Sequence, residues 1–365
     1  MIKKIACWCL LQFSCYAAVS QNMAAYTDYR NYFFGFDDGS FTQLDHLPPK
    51  AFKVGGNAIA FISNANNFKV FYKGFTFDVT EGAFVREFHA NATLVAYMQS
   101  NQLNIFEKGN PKTLSTWVTS YAMGDSIIVY FDDIARSFKA YYDGSSYFLD
   151  DLLTGGTEVR SYKTGDNLVV YINRNNVMKV FYQGAVFDLQ NTNDEGILYD
   201  AGMDVAPFVD QLNNTLNVFY RGNIYELEKT PPKSLKAGSG LVAYVDFDGN
   251  FKRFADGKTK VITSFEPESY MVADSMIIYH DNNGNFSVFY NGKSYTLENY
   301  VPKEVKADNN TVAYIDQQNR LKVFRHGETK IISYDLINWF EVNRNVVMFN
   351  ILNNDTKFYF KGKVH

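Results

Sequence analysis

Five histidines, 39 acidic residues and three cysteines are the groups from which this 365-residue chain could build a reactive or metal-binding site. His46, His89, His280, His326 and His365 lie far apart, with no His-x-His or His-x-x-x-His spacing to place two imidazoles on one metal ion. Asp246-Phe247-Asp248-Gly249-Asn250 opens like a calcium loop, with carboxylates at alternate positions, so Asp246 and Asp248 are weak metal candidates. Phe251-Lys252-Arg253 follows, however, where such a loop needs further oxygen ligands. The related stretches at 281–285 and 316–319 fill the same slots with amides. The competing expectation is a turn in which Asp and Asn cap their own backbone. There is no Gly-x-Ser-x-Gly elbow for a nucleophilic serine. No catalytic residue and no cofactor is assigned, and the chain is expected not to be an enzyme.

The cysteines point elsewhere. Cys7, Cys9 and Cys15 all fall in the first fifteen residues, behind Lys3 and Lys4 and inside a short apolar run. Ala18-Val19-Ser20 then places small residues ahead of Gln21. This is the layout of a secretory signal peptide over 1–20, which leaves 21–365 as an exported, periplasmic or extracellular chain. Cleavage removes every cysteine, so the remainder can hold no disulfide or thiolate metal site. Lipidation at Cys15 is the alternative, but Gln12-Phe13-Ser14 lacks the aliphatic residue it calls for. No later run approaches the ~20 apolar residues of a membrane span. A net charge of −4 argues against a nucleic-acid partner, which selects for a basic surface.

What must position any site is a repeat. An aromatic residue followed 12 to 14 positions later by glycine occurs ten times, from Tyr26/Gly39 through Tyr171/Gly184 and Tyr314/Gly327 to Phe349/Gly362. Successive aromatics are 33 to 41 residues apart. Three positions before each glycine stands another aromatic, such as Phe71, Phe181 or Phe324. Nine positions before the first aromatic, from Phe52 onward, comes a further apolar residue, with Gly, Asn, Ala or Asp three places after it. Each unit therefore predicts four short strands separated by turn-formers, and the chain reads as all-β. The glycine fits a tight hairpin that needs positive φ. The first strand, with Ala201-Gly202 and Ala237-Gly238, has the smallest side chains and is the one expected to crowd a shared axis. Pro49, Pro232 and Pro302 precede that strand, where no ladder is disturbed. The middle hairpins are rich in Asn, as at 64–67, 282–285 and 353–354, and predict a broad amide-rich rim.

A four-stranded antiparallel unit repeated end to end resembles the blades of TolB-like and WD40-like β-propellers, although the Trp-Asp and Gly-His signatures are missing. One such sheet cannot bury both faces alone, so it leans on its neighbours and the ring closes to protect its ends. Counting complete units gives a single propeller of about nine blades if an N-terminal strand completes the last one, with eight or ten open. An unclosed superhelix, or two rings meeting near 144–222, are the other arrangements. One position of the first strand holds Lys53, His89, Lys163, Lys236 and Lys306, besides Ala122, Asp200, Met271 and Glu341. Those residues predict either a mildly cationic ring in the central channel or lysines packed along their stems between blades. The resemblance implies a non-catalytic scaffold, monomeric on its own. It would bind a protein partner of the cell envelope, such as an outer-membrane or secretion component. A carbohydrate-binding or carbohydrate-cleaving propeller is the alternative.

Overall fold

In a computed structural model the described residues are 22–82, 84–151, 159–193, 196–352 and 355–365. Residues 1–21 with the three cysteines, on which the signal-peptide expectation falls, most of the 150–158 insertion and Asn353-Asn354 lie outside them. Ten antiparallel sheets follow one another along the chain, at 23–45, 51–80, 85–115, 118–151, 159–191, 199–228, 234–263, 269–298, 304–333 and 337–364. We number them blades 1 to 10. Blade 9 shows the plan: Glu304–Asp308, Thr311–Ile315, Leu321–Arg325 and Glu328–Ser333, each paired with the next in an up-and-down meander. Blade 1 has three strands among the described residues. In blade 6 the first strand is reduced to a single bridge between Tyr199 and Phe208.

The count is ten rather than the nine favoured by the N-terminal-strand arrangement. Blade 10 makes its own short outer strand, Lys363–Val364, and residues 23–45 form a blade of their own. The ring closes by packing between them. Ala24 and Phe36 bury against Val346, Phe358 and Phe360, with the Phe36 and Phe358 rings stacked at 5.1 Å. Asn343 Nδ2 donates to the Met23 carbonyl at 2.9 Å across the same seam.

The hydrophobic core is correspondingly divided into ten clusters, one at each junction between neighbouring blades. The series is unbroken through blades 4, 5 and 6, so there is one ring and not two. The repeat aromatics fill these clusters: Phe61, Tyr130, Tyr171, Phe181, Tyr244 and Tyr314 are among the largest fully buried side chains. At the outer hairpins the residue before each glycine also has positive φ, as in Lys73-Gly74 and Arg221-Gly222. Two consecutive left-handed residues make the primed turn whose twist matches the strands it joins.

Close approach at the axis explains the small residues of the first strand. A Cβ placed on Gly124 would stand 1.9 Å from the Gly165 carbonyl oxygen. The same contact recurs from Gly165 to Gly202, Gly202 to Gly238 and Gly238 to Asp274. The first strands thus end in a tight neck where backbone meets backbone.

Candidate functional site

The meander gives the ring two unlike rims. Turns joining the first to the second strand, and the third to the fourth, lie on one rim. Middle hairpins and the crossovers to the next blade lie on the other. The first, or turn, rim carries Lys73, Lys108, Asp143, Arg221, His326 and Lys361 at its outer hairpins. The second, or loop, rim instead presents large apolar side chains to solvent. Tyr29, Ile134, Leu212, Phe247 and Leu352 project from middle hairpins. Leu47, Phe84, Trp117, Phe265 and Tyr334 project from crossovers. Leu212 is 87% exposed and Tyr29 78%.

Those hairpin tips are held from beneath. Asp28 Oδ1 accepts from Tyr32 N, Asp132 Oδ1 from Ala135 N, Asp210 Oδ1 from Leu212 N and Asp316 Oδ1 from Arg320 N, all within 2.8–3.0 Å. Asp246 belongs to the same set. It is buried and accepts from Asn250 N and Asn250 Nδ2, with Lys252 Nζ at 2.8 Å. Burial alone would raise the Asp246 carboxyl, but Lys252 and Asn250 outweigh it and hold it below the usual range. Asp248 stands exposed at the tip. The structure therefore spends Asp246 on its own turn and on Lys252. Among the described residues no three His, Cys, Asp or Glu side chains converge as a metal site.

Four of the five first-strand residues singled out by the repeat lie against the next blade. Lys163 Nζ donates to the Tyr199 carbonyl at 2.7 Å and lies over the Tyr199 ring. Lys236 lies over the Tyr270 ring. Lys306 donates to the Phe340 carbonyl and to Glu341 Oε1, both at 2.7 Å. His89 Nδ1 is 2.8 Å from the Tyr121 hydroxyl. Lys53 is exposed. Glu341 and Asp200, the acids of the same repeat position, lie beside Lys306 and Lys163 and offset their charge.

Spacing did not reveal the charge cluster at the neck. Arg344 of blade 10 reaches Asp125 of blade 4, and Asp166, Asp274 and Asp308 share its field. Asp125, Asp166, Asp274 and Arg344 share one repeat register, immediately after the small neck residue. Aligning the units on that residue would have found them.

A closed ring of ten meanders, eight of them four-stranded and two three-stranded among the described residues, with short loops between them, defines a β-propeller. The chain belongs to the 10-bladed β-propeller domain family, whose model matches residues 17–365. No curated protein is similar in sequence. Among solved structures, the designed protein Ika8 is 15% identical, with 77% of this chain and 98% of that one covered at a TM-score of 0.37. The CRINKLY WD40 ectodomain of the receptor kinase ACR4 from Arabidopsis thaliana is 8% identical, covering 68% and 96% at 0.36. PorZ, a surface component of the type-IX secretion system of Porphyromonas gingivalis, is 8% identical, covering 92% and 56% at 0.29.

Proposed function

We propose that this protein is an exported, non-catalytic propeller that holds a protein partner on its loop rim, in the cell envelope or at the cell surface. The observation that carries the reading is the set of apolar tips on that rim. Solitary exposed apolar residues are ordinary, but here they recur at the middle hairpins of blades 1, 4, 6, 7 and 10 and in five crossovers, and both kinds of loop lie on this one rim. Large apolar surface gathered on one face marks a protein-interaction site. Capped hairpins keep the tips ordered before binding, which lowers the entropy lost on association. The non-catalytic part rests on the state of the acids: those of the hairpins are committed to backbone and lysine, and those of the neck surround Arg344. The partner is a folded envelope or secretion protein with an apolar face. The export part rests on the signal-like layout of residues 1–20.

The test is affinity capture from the native envelope with wild-type protein and with Ile134→Ser, Leu212→Ser and Phe247→Ser combined. The expected result is a defined partner retained by the wild type and lost by the triple variant, with an unchanged melting temperature. Equal capture by both proteins would overturn the loop-rim assignment. Specific binding on a glycan array, or hydrolysis of a polysaccharide panel, would favour a carbohydrate-directed propeller instead.

A further inference from the structure

Blade 7 breaks the repeat at three positions, and all three line one cavity. Four residues before the hairpin glycine, the other blades carry Gly35, Val70, Ile105, Ala140, Val180, Val218, Val288, Val323 and Phe358. Those with side chains are all buried. Blade 7 places Arg253 there. Two residues before the glycine, the other blades hold a large or charged side chain, such as Tyr182, Tyr220, Tyr290 or Phe360, where blade 7 has Ala255. Four residues before the second-strand aromatic the others hold Asn, Asp, Ser or Thr, and blade 7 has Gly240.

Elsewhere that last position links neighbouring blades. Asn167 Nδ2 donates to Asp204 Oδ1 at 2.6 Å, and Ser275 Oγ donates to Asn310 Oδ1 at 2.8 Å. The belt stops at Gly240. Two lost side chains and one inserted cation leave a cavity of about 470 Å³ where blades 6, 7 and 8 meet on the turn rim. That volume lies in the usual range for small-molecule sites.

The chemistry of the cavity follows from Arg253. Its guanidinium stacks over the Phe289 ring at 5.4 Å, its Nε has no hydrogen-bond partner, and it makes no ion pair among the described residues. The neighbouring Arg221 is already held by Asp204 at 3.2 Å. Lys260 lies over the same Phe289 ring at 5.6 Å and donates to the Gly292 carbonyl. Asp256, at the cavity edge, is the one remaining acid of the lining. Arg253 takes a position that the other blades fill with a buried apolar residue, and it stands there half-buried, facing a cavity lined by Ser239, Asp256, Ser275 and Asn291, with its Nε left for an anion to pair with.

We propose that this cavity binds a small molecule bearing one carboxylate or another oxyanion, held by Arg253 with Phe289 as the apolar wall. Arginine's planar fork matches an oxyanion with two parallel hydrogen bonds. The site is on the rim opposite the apolar tips, so it stands or falls independently of partner binding.

The experiment is calorimetric titration of purified protein with succinate, glucuronate, inorganic phosphate and sulfate at constant ionic strength. The carboxylates and the phosphate or sulfate arms separate an organic-acid site from an inorganic-anion site. Two variants restore the repeat's own residue, Arg253→Val and Ala255→Tyr, and both are expected to fold with an equal or higher melting temperature. Binding by at least one probe, weakened about tenfold or more in Arg253→Val and lost in the filled Ala255→Tyr cavity, supports the proposal. Absence of binding by all four probes overturns it, as does binding that both variants retain.

Discussion

Arg344 Nη2 donates to Asp125 Oδ1 at 2.6 Å, joining blade 10 to blade 4 across the propeller axis. Blades four steps apart in a ring of ten share no sheet and no core, so only an axial side chain can connect them. Asp166, Asp274 and Asp308 are all pushed up, first by burial, and the Asp125 charge adds to each. For Asp166 the result is about 6. One guanidinium thus balances a ring of four carboxylates, and the neck is short of positive charge at neutral pH.

That shortage predicts a pH dependence with a definite sign. A carboxyl raised by folding binds its proton more tightly in the folded chain, so stability is greatest below the unfolded value and falls as pH climbs through about 6. Asp166→Asn should therefore stabilise the protein by roughly 1–3 kcal/mol at neutral pH and change little near pH 4. Arg344→Gln should destabilise it by about 2–4 kcal/mol at neutral pH, and by less near pH 4. Urea denaturation of the three proteins at both pH values checks this. Substitution effects independent of pH would show that the four carboxylates do not act on one another.

The neck also makes a steric prediction. Gly124→Ala would drive a methyl group into the Gly165 carbonyl, backbone against backbone, and should cost about 3 kcal/mol or more. Gly74→Ala meets nothing within 4 Å, and its cost comes only from the left-handed backbone, about 1–2 kcal/mol. Thermal melts of the two variants should rank in that order. The reverse order would mean the neck can widen.

The strand order, the hairpin glycines and the buried rings were legible because each recurs ten times, and one copy corrects another. Blade number was harder, since residues 23–45 have only three strands among those described and Lys363–Val364 is two residues long. End units lose the pattern that identifies the middle ones. The Arg344–Asp125 pair was not legible by spacing, because residues 219 positions apart meet only when the ring closes. Lys163 and Lys306 could be placed on the first strand, but not aimed. A lysine facing the channel and one facing the next blade occupy the same repeat position, and the carbonyls of Tyr199 and Phe340 decide between them. The apolar rim was partly hidden too: the hairpins read as amide-rich, whereas Leu212 and Phe247 stand at their tips.

Phe181 tests the packing between blades. Its ring is fully buried in the cluster shared by blades 4 and 5, tilted against Tyr147 at 5.2 Å. Phe181→Ala should cost about 3–5 kcal/mol, because the sheets on either side are fixed by their own ladders and cannot collapse into the gap. The measurement is the midpoint of chemical denaturation. An unchanged midpoint would place the ring outside the core.

Blades 7 and 9 share a buried ionic triad that blade 8 lacks, and this provides an internal control. Lys322 contacts Glu298 and Asp316, as Lys252 contacts Glu228 and Asp246, while Tyr314 and Tyr244 donate to the same glutamates. At the corresponding places the blade 7–8 junction has Thr263 and Ser287. Lys322→Met leaves Glu298 and the wholly buried Asp316 short of a cation, at a cost of about 3–5 kcal/mol at neutral pH. Burial would raise the Asp316 carboxyl, but hydrogen bonds from Arg320 and Lys322 hold it below its usual value. A depressed carboxyl contributes stability that is present above its unfolded value and lost as pH falls through the folded one. The gap between wild type and Lys322→Met should therefore close in acid. Glu298→Thr with Lys322→Ser recreates the blade 8 arrangement, with Asp316 kept by its own hairpin as Asp281 is. The double variant should recover most of the loss, which a double-mutant cycle with the single variants Glu298→Thr and Lys322→Ser measures directly. Additive losses would mean that the lysine serves Asp316 alone and that the glutamate is bystander to the pair.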